Sequence, residues 1–118
     1  MALIEANKPD NLIASTAHTA AVQTVTVLAG EGDLKRGTVL ARNNDDKFEV
    51  LDTDATGKAE VILASDTDAS GASDVIAEAY VSGDFVEGAL IADDGYTITE
   101  ADRLNLKNAG IYLIAGLN

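Results

Sequence analysis

Short runs of aliphatic and β-branched residues recur about every ten residues along this chain, each bounded by Gly, Asp or Asn, a rhythm that favours many short strands over long helices. Val22-Gln-Thr-Val25-Thr-Val27-Leu28 alternates Val with Thr and suits a half-buried strand. Ala29-Gly30-Glu31-Gly32-Asp33 reads as a turn. Thr38-Val39-Leu40-Ala41 reads as a second strand, Asn43 to Lys47 as a polar hairpin tip, and Phe48-Glu49-Val50-Leu51 as its return. A turn at Asp52 to Gly57, a strand at Ala59 to Ala64 and a long polar loop from Ser65 to Asp74 follow. Val75 to Val81 is ambiguous by period; its β-branched content and the Ser82-Gly83-Asp84 turn after it favour strand. Phe85-Val86 and Ala89-Leu90-Ile91 read as short edge strands, and Ile111 to Ile114 as a final buried strand.

One segment predicts a helix. Thr99 is placed to cap it, with Asp102 three residues on as the reciprocal acid. Leu104 and Leu106 lie inward and outward of the same turn, and Gly110 supplies a left-handed stop. The expected fold is mainly β with one short α-helix near the C-terminus, a small tulip- or barrel-like domain. With only five aromatic residues and no Trp, its core must be built from Val, Ile, Leu and Ala.

Residues 1–21 differ in texture from the β-rich body expected over 22–118. They hold the only Pro (Pro9), the only His (His18) and a run of small residues from Ala14 to Ala21 with neither helical nor strand period. Such a segment gains little apolar burial against a backbone entropy cost of about 1–2 kcal/mol per residue, so a flexible arm is expected.

Charge and composition exclude several roles. Twenty acids against eight bases give a formal charge of −12, which repels nucleic acid and anionic membranes. No cysteine is present, so disulfides, thiolate metal sites and Cys nucleophiles are excluded. The uncharged stretch from Asn11 to Gly30 is too rich in Ser, Thr, Gln and His to span a bilayer. No basic segment followed by an apolar run marks a signal peptide, so synthesis in the cytoplasm as a soluble chain is expected.

Candidate chemistry is thin. Asp52-x-Asp54-x-Thr56-Gly57 and Asp66-x-Asp68-x-Ser70-Gly71 copy the first half of a calcium loop, but the position of the bidentate acid falls on Leu63 and Ala77. No metal site and no cofactor are expected. His18 has no second His or Cys with which to build a zinc site. Asp45-Asp46 and Asp93-Asp94 are neighbouring acids in loops rather than an acid–base pair across a cleft. Gly30-x-Gly32 is followed by Asp33, which would repel phosphate. No catalytic set is visible, and the chain is not expected to be an enzyme. Lys35-Arg36 reads either as solvated charge before a strand or as a contact for an acidic partner.

Several segments, in order, resemble the bacteriophage head decoration protein D family of lambda-type capsid cement proteins. They are Pro9-Asp10-Asn11-Leu12-Ile13-Ala14, Thr24-Val25-Thr26-Val27, Leu34-Lys35-Arg36-Gly37-Thr38-Val39-Leu40, Phe48-Glu49-Val50, Ala79-Tyr80-Val81-Ser82-Gly83-Asp84-Phe85, and Leu104 through Leu113. The chain departs from the family at Ala59 to Leu63, where many relatives carry a Pro-Val-Gly-Ile-Leu-like segment. The resemblance implies a β-rich homotrimer on the outer surface of the virion capsid. It would sit at local threefold sites of the expanded head, clamping copies of the major capsid protein without a cofactor. It also implies that the N-terminal arm orders on the shell, with Asn11, Leu12, Ile13, Ala14, Ser15, Thr16, Ala17, His18 and Thr19 as the capsid-binding residues.

The residues agree with such a role. A polar arm without Gly from residue 1 to 29 suits addition to an exposed sheet edge. Three arms on one trimer would raise affinity by roughly 10²–10⁴ through avidity. An acidic protein suits the outside of a shell filled with polyanion. Removal of residues 1–20 is then expected to leave a folded body unable to bind shells. The alternative is a small acidic binding module of extracellular type, taking calcium or carbohydrate in its Asp-rich loops.

Overall fold

The Val/Thr alternation of residues 22–27 and the apolar runs around 40, 61 and 79 become the staves of a closed five-stranded barrel. The structure, a computed structural model, describes residues 12–15, 17–52, 58–93 and 95–114. The strands are β1 (Ile13–Ser15), β2 (Val22–Val27), β3 (Gly32–Leu34), β4 (Val39–Arg42), β5 (Phe48–Val50), β6 (Ala59–Leu63), β7 (Thr67–Ala69), β8 (Val75–Tyr80), β9 (Gly83–Val86) and β10 (Ile111–Ile114). Among the described residues one α-helix, α1 (Glu100–Ala109), precedes β10, and a 3₁₀ turn spans Glu87–Ala89. The barrel runs β2-β5-β4-β6-β8, a three-stranded sheet runs β1-β9-β10, and β3 pairs with β7. The expected mainly-β, barrel-like class with one C-terminal helix is what the chain adopts.

Two apolar clusters share β4 and β6. Inside the barrel lie Val27, Leu34, Leu40, Phe48, Val61, Leu63, Ala69, Ala77 and Ala79. Outside it, Val39, Ala41, Ala59 and Ile62 pack with Leu12, Leu51, Tyr80, Phe85, Leu106 and Ile111. Strands buried on both faces need continuous apolar runs rather than alternation, which is why Val39-Leu40-Ala41 and Val61-Ile62-Leu63 carry no polar residue. By contrast β2 and β8 have one wet face: Thr24 pairs with Glu78 and Thr26 with Ile76, all but the half-buried Thr26 exposed.

The helix forms as its caps predict. Thr99 Oγ1 accepts from the backbone N–H of Asp102 at 3.2 Å, and Asp102 Oδ2 accepts from the N–H of Thr99 at 2.9 Å. Tyr96 also donates its hydroxyl proton to Asp102 Oδ2, so the buried carboxylate is hydrogen-bonded. Gly110 ends the helix in the left-handed region. The inward and outward assignments of the two leucines are reversed: Leu106 is fully buried, whereas Leu104 is 58% exposed.

Other expectations are corrected. The 29–33 turn and the 65–74 loop each give a strand, β3 and β7, joined as Gly32↔Ala69, Asp33↔Asp68 and Leu34↔Thr67. This pair is only three residues long and lacks β-branched alternation; it holds because Leu34 and Ala69 are buried in the barrel cluster. Phe85-Val86 is not an edge: β9 lies between β1 and β10. Residues 89–91 form no strand; Ala89 closes the 3₁₀ turn, and Ile91 makes a single parallel bridge to Thr38. In β10 only Ile111 is buried, because the strand lies at the sheet edge. The turn expected at 53–57 lies outside the described residues.

Within the arm expected over 1–21, Leu12 is 2% exposed and sits in the outer cluster, while residues 1–11 and 16 lie outside the described residues. Ser15, His18, Thr19 and Ala21 find hydrogen-bond partners on Val81, Ser82 and Asp84, and Leu12 supplies the apolar anchor. The same contact fixes the role of Gly83. Its φ is +135°, and a Cβ there would meet Ala20 Cα at 3.1 Å and the Phe85 ring at 3.0 Å. Gly83→Ala therefore combines backbone strain with a clash against both the N-terminal segment and Phe85, and is expected to cost more than about 1 kcal/mol in a urea titration. An unchanged midpoint would contradict this packing.

Candidate functional site

Residues 12–15 and 17–21 run antiparallel to residues 86–81, and the bonds between them can be followed along the line. Val86 N–H donates to Leu12 O at 2.8 Å. In β1, Ile13 faces Phe85 and Ser15 faces Asp84, with an irregularity between them. Further on, Ser82 Oγ donates to Thr19 O at 2.7 Å, and Val81 N–H donates to Ala21 O at 2.9 Å. Ala21 N–H closes the line on Ser82 Oγ at 3.3 Å.

Asp84 is the centre of this contact. Its side chain is 3% exposed, yet it is a carboxylate, and a buried carboxylate must be hydrogen-bonded to be tolerated. Ser15 Oγ donates to Oδ2 at 2.7 Å and His18 N–H to the same oxygen at 3.1 Å. His18 Nδ1 lies 2.7 Å from Oδ1. An ionised carboxylate has no proton to give, so Nδ1 must carry the hydrogen. The imidazole then stacks on Tyr112 of β10, ring centroids 4.3 Å apart, and remains 54% exposed. The segment is thus held across all three strands of the sheet.

The Ser15 hydroxyl bond, opposed by burial and assisted by the two bonds from His18, holds the Asp84 carboxyl below the ordinary Asp value of 3.8. A carboxyl depressed by folding stabilises the folded state in full above its unfolded pKa and loses that contribution as pH falls through the lower folded value. The stability difference between the native chain and Asp84→Asn should therefore be flat from pH 7 to about pH 5 and shrink only below about pH 4. Paired denaturation curves across that range test this; a difference that grows on acidification would contradict it.

The arrangement is not a nucleophile set. A serine is activated by a base that takes its proton, and here Ser15 and His18 both bond to one carboxylate instead of to each other. What the segment offers is surface. Ile13, Ala17, His18 and Thr19 are exposed, Ala14 and Ser15 half-buried, and Leu12 is given to the core. Asn11 and Thr16, expected with them as capsid-binding residues, lie outside the described residues.

The remaining sequence candidates serve the fold. Asp66 Oδ1 accepts from the N–H of Arg36 at 2.8 Å, and Asp68 Oδ1 accepts from both the N–H and the hydroxyl of Ser70, closing its own turn. Among the described residues no group of acids and histidines is gathered to hold a metal. Asp46 adopts φ +62° at the hairpin tip and pairs with Arg42, which also bonds to Glu60. Arg36 is half-buried, lying over the Tyr80 ring and donating to Ala64 O and the Tyr80 hydroxyl, so it braces β8 rather than waiting in solvent. Lys35 is exposed beside Asp33 at 3.6 Å. Asp93 lies at the surface; Asp54 and Asp94 are outside the described residues. No described helix is long and apolar enough to cross a membrane.

Asp84 went unnoticed in the sequence because Ser82-Gly83-Asp84 has the composition of any turn. A usable signal was present: an acid enclosed by Tyr80, Phe85 and Val86 implies a partner, and the uncharged stretch with the only His was the place to seek it.

A small closed barrel carries the N-terminal segment along its second sheet, with Ile13, Ala17, His18 and Thr19 exposed on it. Over residues 2–111 the chain matches the family described as bacteriophage lambda head decoration protein D, and it belongs to that family. Among curated proteins no sequence matches it. The chain is thus a phage head decoration protein, of a family of structural capsid components.

Proposed function

We propose that the chain binds as a homotrimer at local threefold sites on the outer surface of the expanded head, against the major capsid protein, and stabilises the shell. The observation that carries this is the family match over nearly the whole chain. The physical character of the molecule supports it. A ligand that binds only the assembled shell stabilises that state by mass action, with no covalent step required. The charge of −12 would keep such a protein away from packaged nucleic acid. The exposed Ile13, Ala17, His18 and Thr19 lie on one continuous segment suited to contact with another chain.

A trimer brings three such segments to one site. Each alone binds weakly; joined on a rigid body they bind with an avidity roughly 10²–10⁴ above one. The test is co-sedimentation of the purified chain with empty heads before and after expansion. Saturable binding to expanded heads alone, with a gain in their resistance to heat, is expected. Equal pelleting with and without heads would refute the proposal.

A further inference from the structure

Among the described residues, Asp84 is a buried carboxylate whose partners come from the N-terminal segment, and that placement has a consequence for docking. Ser15 and His18, more than sixty positions away in sequence, donate to its two oxygens. The stack of His18 on Tyr112 adds a contact to the far strand of the same sheet. The bonds hold the segment in the pose that leaves Ile13, Ala17, His18 and Thr19 outward while Leu12 is anchored within.

We infer that Asp84 is a positioning residue for docking: its carboxylate fixes residues 12–15 and 17–19 on their own β9, so the outward-facing set is arranged before the shell is met. This rests on the docking reading above. Each residue that a partner must order anew costs a factor of roughly 5–30 in affinity, and a preordered segment avoids that loss. The segment is therefore a built part of the body, and the carboxylate that secures it acts on affinity without touching the partner.

The test compares the full chain with Asp84→Asn and with Ser15→Ala, which keeps the carboxylate and the outward-facing His18 but removes the hydroxyl donor. Two quantities are read: amide exchange of His18, Ala21 and Val86 in the free protein, and affinity for empty expanded heads. In both variants exchange at those amides is expected to speed at least about tenfold, while Leu40 and Ile62 in the barrel keep their protection, and affinity should fall at least about tenfold. Unchanged exchange overturns the securing role of Asp84. Faster exchange with equal or tighter binding overturns the positioning role and makes the contact a restraint instead. Heads that fail to bind the native chain refute the docking reading, and with it the positioning role; the exchange data still decide whether Asp84 secures the segment. Should Asp84→Asn not fold, Ser15→Ala decides alone.

Discussion

Replacing Leu12 by Ala lowers the stability of the folded chain by about 2–5 kcal/mol, as expected for a leucine removed from a closed core. In the sequence the residue lies just before the small-residue run, in the segment expected to be a flexible arm. In the structure it is 2% exposed and packs with Val39, Ala41, Leu51, Phe85 and Leu106 in the outer cluster. It also approaches Gly37, where a Cβ would stand 3.6 Å from Leu12 Cδ1. The expected deletion result changes accordingly. Removing residues 1–20 takes away Leu12, strand β1 and the partners of Asp84 together, so it weakens the body as well as any docking. Removing residues 1–11 leaves every described contact in place and separates the two effects. Urea titration of both truncations and of Leu12→Ala measures this. A Leu12→Ala loss below about 1 kcal/mol would mean that the segment is not part of the core.

Phe85→Ala is the most damaging single change expected, at about 3–5 kcal/mol. Its ring is fully buried on the central strand β9, between the N-terminal segment and β10, and it meets the Tyr80 ring at 5.2 Å in a tilted pair. With five aromatic residues in the whole chain, no neighbouring ring is free to refill the space. Ile76→Ala provides the comparison: the side chain is largely exposed on the wet face of β8, and its loss should change stability by less than about 0.5 kcal/mol. If the two variants unfolded at similar denaturant concentrations, the assignment of the outer cluster as the core would be wrong.

The parts of the fold that could be read from the sequence are those whose cause is local. The Val/Thr alternation of β2, the hairpin of β4 and β5 across Asn43 to Lys47, the run in β6 and the capping box at Thr99 and Asp102 all declare themselves within about ten residues. What could not be read depends on distant partners. Strands β3 and β7 are Gly-Asp-Leu and Thr-Asp-Ala, sequences that would be loops without each other. The β1 pairing joins Ser15 to Asp84 across 69 positions, and neither residue favours a strand by itself. The helix shows the same limit within one turn: its ends were legible from Thr99 and Gly110. Whether Leu104 or Leu106 faces inward depended on where β6 and β10 lie. The function was legible through ordered family blocks, whereas the surface that would carry it emerged only when the segment was seen lying on β9.

Acidity acts on the same surface. Because Ser15 and His18 hold Asp84 below its ordinary pKa, the carboxylate's hold on the segment should persist throughout the neutral range and weaken only in acid. Docking is therefore expected to be insensitive to mild acidification, apart from effects on the shell itself.

A density map of empty expanded heads incubated with the full-length chain tests the central claim most directly. The account predicts added density on the outer surface at the local threefold positions, three barrels to a site, with the β1–β9–β10 sheet turned toward the shell. Density on the inner surface, density at other positions, or decorated heads in which that sheet faces solvent would contradict it.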